Sequence, residues 1–302
     1  MARPRIALAP RATRSRAAGT AAAAAVAAAG IAVAQAGPGI TGLGWVRAVL
    51  FPRLAGHGDP GHVALTFDDG PDPDGTPRFA RLLAERQVTA TFFLLGEMVA
   101  RAPGVAADLA AAGHEIGVHG WEHRYLPARG PRAAVDDIRR ATDLIASVTG
   151  TRPQLFRPPY GVLSGPALLA ARNLGLTPVL WGAWGREWTP GATAATVYAS
   201  LTAQLRGGVT VLLHDSDCTS PPGSWRAALG ALPLLLDECA RRGLAVGPLA
   251  QHGGAGGAGQ QGGAGETGGP GQHARRLENT GPDAQPRARR GRPTDPTSPV
   301  RP

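Results

Sequence analysis

Thr66-Phe67-Asp68-Asp69-Gly70-Pro71, closing the apolar run His62-Val63-Ala64-Leu65, is the stretch on which the reading of this chain turns. Adjacent side chains in a strand point to opposite faces, so a strand alone cannot aim Asp68 and Asp69 at one site. Gly70 and Pro71 break the strand there, the alternation lapses, and both carboxylates can turn toward one pocket. Two carboxylates in one place suit a division of labour, one binding a cation and the other moving a proton. Asp, Gly and Pro are also ordinary turn formers, so the stretch acquires its meaning from the rest of the chain.

Downstream, Gly113-His114-Glu115-Ile116-Gly117-Val118 reads as a short strand that delivers His119-Gly120-Trp121-Glu122-His123. Two imidazoles four residues apart share one face of a helical turn and can reach one ion. With a carboxylate they form a His-His-Asp set, which suits zinc or another divalent first-row metal with positions left open. Periodicity elsewhere alternates strand and helix. Strands are expected at His62–Phe67, Thr89–Leu95, Glu115–Val118, Leu155–Arg157, Thr177–Trp181, Val209–His214 and Leu244–Val246. Helices are expected at Pro77–Arg86, Gly104–Ala112, Arg132–Thr149, Pro166–Asn173, Thr193–Arg206 and Trp225–Arg242. Such alternation implies a parallel α/β sheet. It does not by itself separate a closed barrel from an open doubly wound sheet.

From about Gly61 to Leu249 the chain resembles the polysaccharide deacetylases of carbohydrate esterase family 4, on motifs that occur in the family's order. The first is the Asp68-Asp69 stretch and the second is His119 through His123. Arg157-Pro158-Pro159-Tyr160-Gly161 is the third, Trp181 through Trp188 contains the fourth, and Leu212-Leu213-His214 is the fifth. The resemblance implies a distorted (β/α) barrel in one globular domain, and metal-dependent hydrolysis of an N-acetyl amide on a glycan. By the same resemblance Asp69, His119 and His123 hold the metal, Zn2+ or else Co2+ or another first-row ion. Asp68 is implied as general base, His214 as general acid, and the Tyr160 backbone N–H as a stabiliser of the oxyanion. Arg157 would orient and charge-balance Asp68. Glu187 stands where the family has an aspartate and is expected to orient Arg157. Leu212 and Trp188 are expected to line a slot for the acetyl methyl. Gly120 replaces the usual Ser or Thr after the first motif-two histidine, which leaves the loop either less rigid or held by another contact.

Three functions follow. The first is deacetylation of peptidoglycan or a chitin-like glycan. The second is the same chemistry on a formyl or acetyl group of a lipid-linked sugar or small molecule. The third is a non-enzymatic glycan-binding relative, against which the intact Asp68, Asp69, His119, His123 and His214 argue. Trp121, Trp184, Trp188 and Trp225 are candidates for stacking on sugar rings or for core.

The ends of the chain differ from its middle. Residues 1–36 carry Arg3, Arg5, Arg11, Arg14 and Arg16, then a charge-free alanine-rich run ending Ala34-Gln35-Ala36, the pattern of a signal peptide or N-terminal membrane anchor. Residues 37–60 read as a connector, 61–250 as the catalytic domain, and 251–302 as a disordered tail rich in Gly, Arg and Pro. The net charge of +9 belongs to the ends: residues 1–58 hold seven arginines and no acid, whereas the middle is nearly neutral. Nucleic-acid binding is therefore disfavoured. An exported monomer is expected, with membrane or cell-wall association through its termini. Cys218 and Cys239 are read either as a disulfide or as two free thiols.

Overall fold

A computed structural model describes residues 13–253, with side chains from residue 24 onward. In chain order the elements are α1 (Thr13–Ala36), α2 (Gly44–Leu50), β1 (His62–Asp68), α3 (Thr76–Glu85), β2 (Thr91–Leu94), α4 (Gly96–Arg101), α5 (Pro103–Ala111) and β3 (Glu115–Val118). They continue with α6 (Pro131–Thr149), β4 (Leu155–Phe156), α7 (Gly165–Asn173), β5 (Thr177–Pro178), β6 (Ala183–Trp184), α8 (Ala194–Gln204), β7 (Thr210–His214), α9 (Trp225–Arg241) and β8 (Ala245–Gly247).

Every described strand pairing is parallel, in the order β5-β4-β3-β2-β1-β7-β6, with β8 on the first half of β1. This is the distorted (β/α) barrel expected from the motifs, and it is incomplete between β5 and β6. Only Val179–Gly182 separates those two strands in sequence, so this short bridge spans the gap. Val63, Leu65, Phe67, Phe92, Leu94, Val211 and Leu213 belong to the main core under the helices. The alternate positions Ala64, Thr66, Asp68, Thr91, Phe93, Thr210, Leu212 and His214 fall on the opposite face, as a period of two requires. Small and polar side chains line that inner face, and Asp68 and His214 are register partners at its C-terminal end.

Local chemistry sets the helix ends. Ser164 caps α7 through Ala167 N, Thr193 and Thr196 form a capping box on α8, and Gly150 ends α6 at φ 71°.

One expectation is corrected by packing. The strand expected at Thr177–Trp181 stops after Pro178, because Leu180 N donates to Leu54 O and the chain departs to form the bridge. The short elements α4 and β6 had no periodicity long enough to show. Residues 37–60 pack on the domain: Arg47 is buried, and Gly56 O accepts from the Thr210 hydroxyl at 2.6 Å. Cys218 and Cys239 are free thiols. The expected tail lies outside the described residues from 254 on, and so do residues 1–12 of the basic leader.

Candidate active site

The barrel's C-terminal mouth gathers its functional side chains from four strands, where catalytic groups of (β/α) barrels collect. Asp68 ends β1, Asp69 follows it, His119 follows β3, Arg157 follows β4 and His214 ends β7. Asp69 has φ 74° and Tyr160 φ 60°, both in the left-handed region that side chains with a Cβ rarely adopt. The turn after β1 therefore does what the sequence required of it, and both aspartates face the same site.

Arg157 is the pin of the assembly. It is fully buried, and its guanidinium donates to Asp68 Oδ1 and Thr66 Oγ1 at 2.7 Å each, to Val179 O at 3.3 Å and to Leu180 O at 3.1 Å. It also lies 4.0 Å over the Phe93 ring. Four acceptors take four of the five N–H groups of this buried cation, and two of them belong to the bridge that spans the barrel gap. Glu187 is not among them, contrary to expectation. Its Oε1 accepts from His214 N at 2.6 Å and from His214 Nδ1 at 2.8 Å. The longer glutamate fits because residue 185 is glycine: a Cβ there would come 2.5 Å from Glu187 Oε2.

Burial alone would lower the His214 pKa. The Glu187 hydrogen bond and charge, with Asp69 and Asp68 beyond, outweigh it and raise the pKa to about 9. With Nδ1 donating to Glu187, Nε2 is left for the cavity.

His119 Nδ1 lies 2.7 Å from the Arg157 carbonyl oxygen, which can only accept, so Nδ1 carries the proton and Nε2 presents its lone pair. That lone pair is 3.3 Å from Asp69 Oδ1, and His123 Nε2 is 3.6 Å from the same oxygen. Asp69 Oδ1 is buried and has no hydrogen-bond partner, while Oδ2 is held by the Thr219 hydroxyl at 2.6 Å. The three donor atoms lie within 4.8 Å of one another. The two imidazole–carboxylate spacings match the edge of about 3.4 Å that a tetrahedral ion with bonds of about 2.1 Å would give. Burial would raise the Asp69 pKa, but the close approach of the His119 imidazole and the charge of His214 hold it far below the carboxylate range. Burial pushes His123 down to about 4, so it is a neutral ligand at ordinary pH. His119 is lowered by burial and raised by more through Asp68 and Asp69: the site draws positive charge. The residues fit a divalent cation.

A cavity of about 230 Å³ opens beside these groups, lined by Asp68, His119, His123, Tyr160, Leu212 and His214, with Trp181, Trp184 and Trp188 along one wall. Trp188 meets the His214 ring edge-on at 5.2 Å. Leu212 and Trp188 thus stand where a small apolar slot was expected. Trp121 and Trp225 are elsewhere: Trp121 stacks under Arg140 at 3.9 Å, and Trp225 is core.

Several residues that hold the site escaped the sequence reading. Asp137 accepts from Trp121 N at 2.9 Å and from Glu122 N at 3.4 Å, and so fastens the loop between His119 and His123. Gly120 has φ 96°, and a Cβ there would lie 2.8 Å from Asp137 Oδ1, so glycine is what lets this carboxylate come in. The signal was present, since Asp137 lies within the apolar stripe Ala134, Ile138, Ala141, Ile145 of α6. Thr219 had no signal at all. Asp215, fully buried, bonds the Thr76 hydroxyl and lies where a Cβ on Gly70 would strike it, so it braces the turn that carries Asp69.

Residues 55–179 match the family model described as polysaccharide deacetylase. A chitooligosaccharide deacetylase of Sinorhizobium fredii is 35% identical over 218 residues, covering 70% of this chain and 98% of the relative. A peptidoglycan-N-acetylglucosamine deacetylase of Bacillus cereus is 33% identical over 186 residues, covering 60% of this chain and 83% of the relative. Among solved structures, the Bc1960 peptidoglycan N-acetylglucosamine deacetylase superposes with a TM-score of 0.62 at 28% identity, covering 70% of this chain and 96% of that one.

Proposed function

The chain belongs to the polysaccharide deacetylase family, and from that premise we propose that it removes N-acetyl groups from a peptidoglycan or chitin-like glycan outside the cytoplasm, using a divalent ion held by Asp69, His119 and His123. One observation carries the reading: the unpartnered Asp69 Oδ1 faces two imidazole nitrogens beside a carboxylate and an imidazole on neighbouring strands. The donor set of two nitrogens and one oxygen favours Zn2+.

The ion, when bound, supplies Lewis acidity, polarising the acetamide carbonyl and acidifying a water molecule. Asp68 takes the proton of the attacking water. Its Oδ1 is committed to Arg157, which leaves Oδ2, 3.8 Å from His119 Nε2, to face the site. The Tyr160 N–H, on a backbone turned to φ 60°, is assigned to the developing oxyanion. His214 gives its Nε2 proton to the departing amine, and Glu187 keeps that imidazole charged and aimed. Leu212 and Trp188 receive the acetyl methyl and keep water from its far side.

The ends of the chain support work outside the cytoplasm. A basic leader precedes a helix that is long and apolar enough to cross a membrane, within Ala24–Gly42, almost none of it buried. We assign residues 1–36 to export or anchoring.

The experiment is acetate release by the purified full chain from chitooligosaccharides and peptidoglycan, with chelator, with added zinc or cobalt, and with Asp68→Asn and His119→Ala controls. Metal-dependent release that both substitutions abolish is expected. No release by folded, zinc-loaded protein would overturn the glycan assignment.

A further inference from the structure

Residues 37–53 form a strap with two unlike sides. Inward, Val46 and Arg47 are buried; the Arg47 guanidinium donates to Thr41 O at 3.2 Å and to Trp181 O at 3.0 Å, and stands 5.4 Å from the Trp181 ring. Gly39 and Gly42 press on Val162, next to the Tyr160 turn. Outward, Ile40, Leu43, Trp45, Val49, Leu50 and Phe51 are all exposed, Trp45 and Val49 by 73% each. Trp45 and Val49 are four apart on α2 and so share a face.

This is a concentration, not a scatter. Nine of the thirteen large apolar side chains exposed among the described residues lie between Val26 and Phe51. A patch of that kind marks an interaction surface. Its composition selects the partner. The strap has no acid, and its one exposed charged side chain is Arg53, which complements an anionic surface and not a basic protein. A tryptophan beside aliphatic residues, directly after a helix of membrane-spanning character, is the arrangement that settles at a lipid–water interface.

We propose that the strap Ile40–Phe51 seats the folded domain on an anionic lipid bilayer, independently of α1. Lipid binding here does not depend on what the cavity hydrolyses. Because the strap is bonded through Arg47 to Trp181, which lines the cavity, a bilayer seated on it lies beside the mouth.

Trp45 is the one exposed tryptophan of the six, which gives a direct reporter. The full chain is reconstituted with vesicles of phosphatidylethanolamine and phosphatidylglycerol carrying brominated acyl chains. Tryptophan emission should be quenched in the unaltered chain and much less in Trp45→Phe; equal quenching in both would overturn the proposal. A second measurement removes α1 from consideration. In a full chain whose exposed α1 positions are made polar (Val26→Asn, Ile31→Asn), flotation with phosphatidylglycerol vesicles should persist. It should weaken at high salt and on pure phosphatidylcholine vesicles. Adding Trp45→Ser, Val49→Ser and Phe51→Ser should weaken vesicle partition about tenfold or more. Failure of the α1-altered chain to float would overturn the proposal. So would a concentration-dependent dimer in sedimentation velocity that the serine substitutions abolish, which would assign the face to a second copy.

Discussion

Two histidine pairs lie at opposite ends of β1, and the same ring atoms do different things in each. At the C-terminal end, His119 Nδ1 is tied to a carbonyl, so its Nε2 lone pair looks at the bare Asp69 Oδ1, with His123 alongside. At the N-terminal end, His252 Nε2 lies 3.1 Å from Gly56 O and 3.2 Å from Gly208 O, so it must carry the proton. His252 Nδ1 is then an acceptor, and His62 Nδ1 donates to it at 2.8 Å. One proton satisfies that contact, and no carboxylate is needed. Both pairs fix a tautomer through a carbonyl. Only one of them faces that tautomer with an unpartnered anion, and that is what makes it the candidate cation site.

The hardest test removes the anion's partner. His119→Ala should release the metal, measured by elemental analysis of the purified protein, and lower deacetylation about 10⁴-fold, whereas His62→Ala should keep both metal and activity. Loss of metal from the His62 variant as well would show that the two ends are not independent.

Next is the acid half of the mouth. Glu187→Gln should lower kcat about 10²-fold, because the imidazole keeps an acceptor but loses the charge that holds its proton. The sign of the pH effect follows from the raised value. His214 must be protonated to act as the acid, so activity should fall as pH rises through about 9, and in the Gln variant that alkaline limb should move to lower pH. The same group's contribution to stability is complete below the ordinary imidazole value and lost as pH rises through about 9. An alkaline limb unchanged by the substitution would remove Glu187 from this role.

That pairing also marks the limit of what was legible. The fold was readable because β1, β2, β3 and β7 are short apolar runs separated by amphipathic stretches. The residues proposed as metal ligands, base and acid stood out because they sit in contiguous motifs at strand ends. Glu187 was assigned to Arg157 because a sequence shows that a carboxylate enters the mouth but not which of two cationic groups it meets. The choice is made in three dimensions, where four acceptors already surround Arg157 and Gly185 opens room toward His214. Thr219 and Arg47 were hidden for a related reason. Each acts across more than 130 residues of chain, on Asp69 and on Trp181, and neither stands in a patterned segment.

Thr219 is the third difference between the two histidine pairs, since nothing comparable orients a partner at the N-terminal end. By holding Asp69 Oδ2 it leaves Oδ1 as the free ligand atom. Thr219→Val should weaken zinc binding about tenfold in competition with a chromophoric chelator, and Thr219→Ser should restore it, with kcat at saturating zinc little changed. Equal affinity in all three proteins would mean that the histidines alone aim the carboxylate.

The smallest effect belongs to the N-terminal pair. Burial, helped by their mutual proximity on the His62 side, lowers the pKa of both His62 and His252, although Asp59 and the two carbonyls work in the other direction. An imidazole with a depressed folded value binds fewer protons than the unfolded chain does, so its stability is present above the ordinary histidine value and lost as pH falls from there through the lowered one. Thermal unfolding followed from pH 7.5 to pH 5 should therefore show a falling Tm. His114 and His123, also lowered, add to the slope in the unaltered chain. His62→Gln isolates the pair: its amide N–H can still donate to His252 Nδ1, but it has no proton to gain. It should flatten the slope by about 2–4 °C per kcal/mol of linkage removed. If the slope is unchanged, the acid sensitivity belongs to the catalytic end, and the N-terminal pair is a hydrogen bond that pH does not reach.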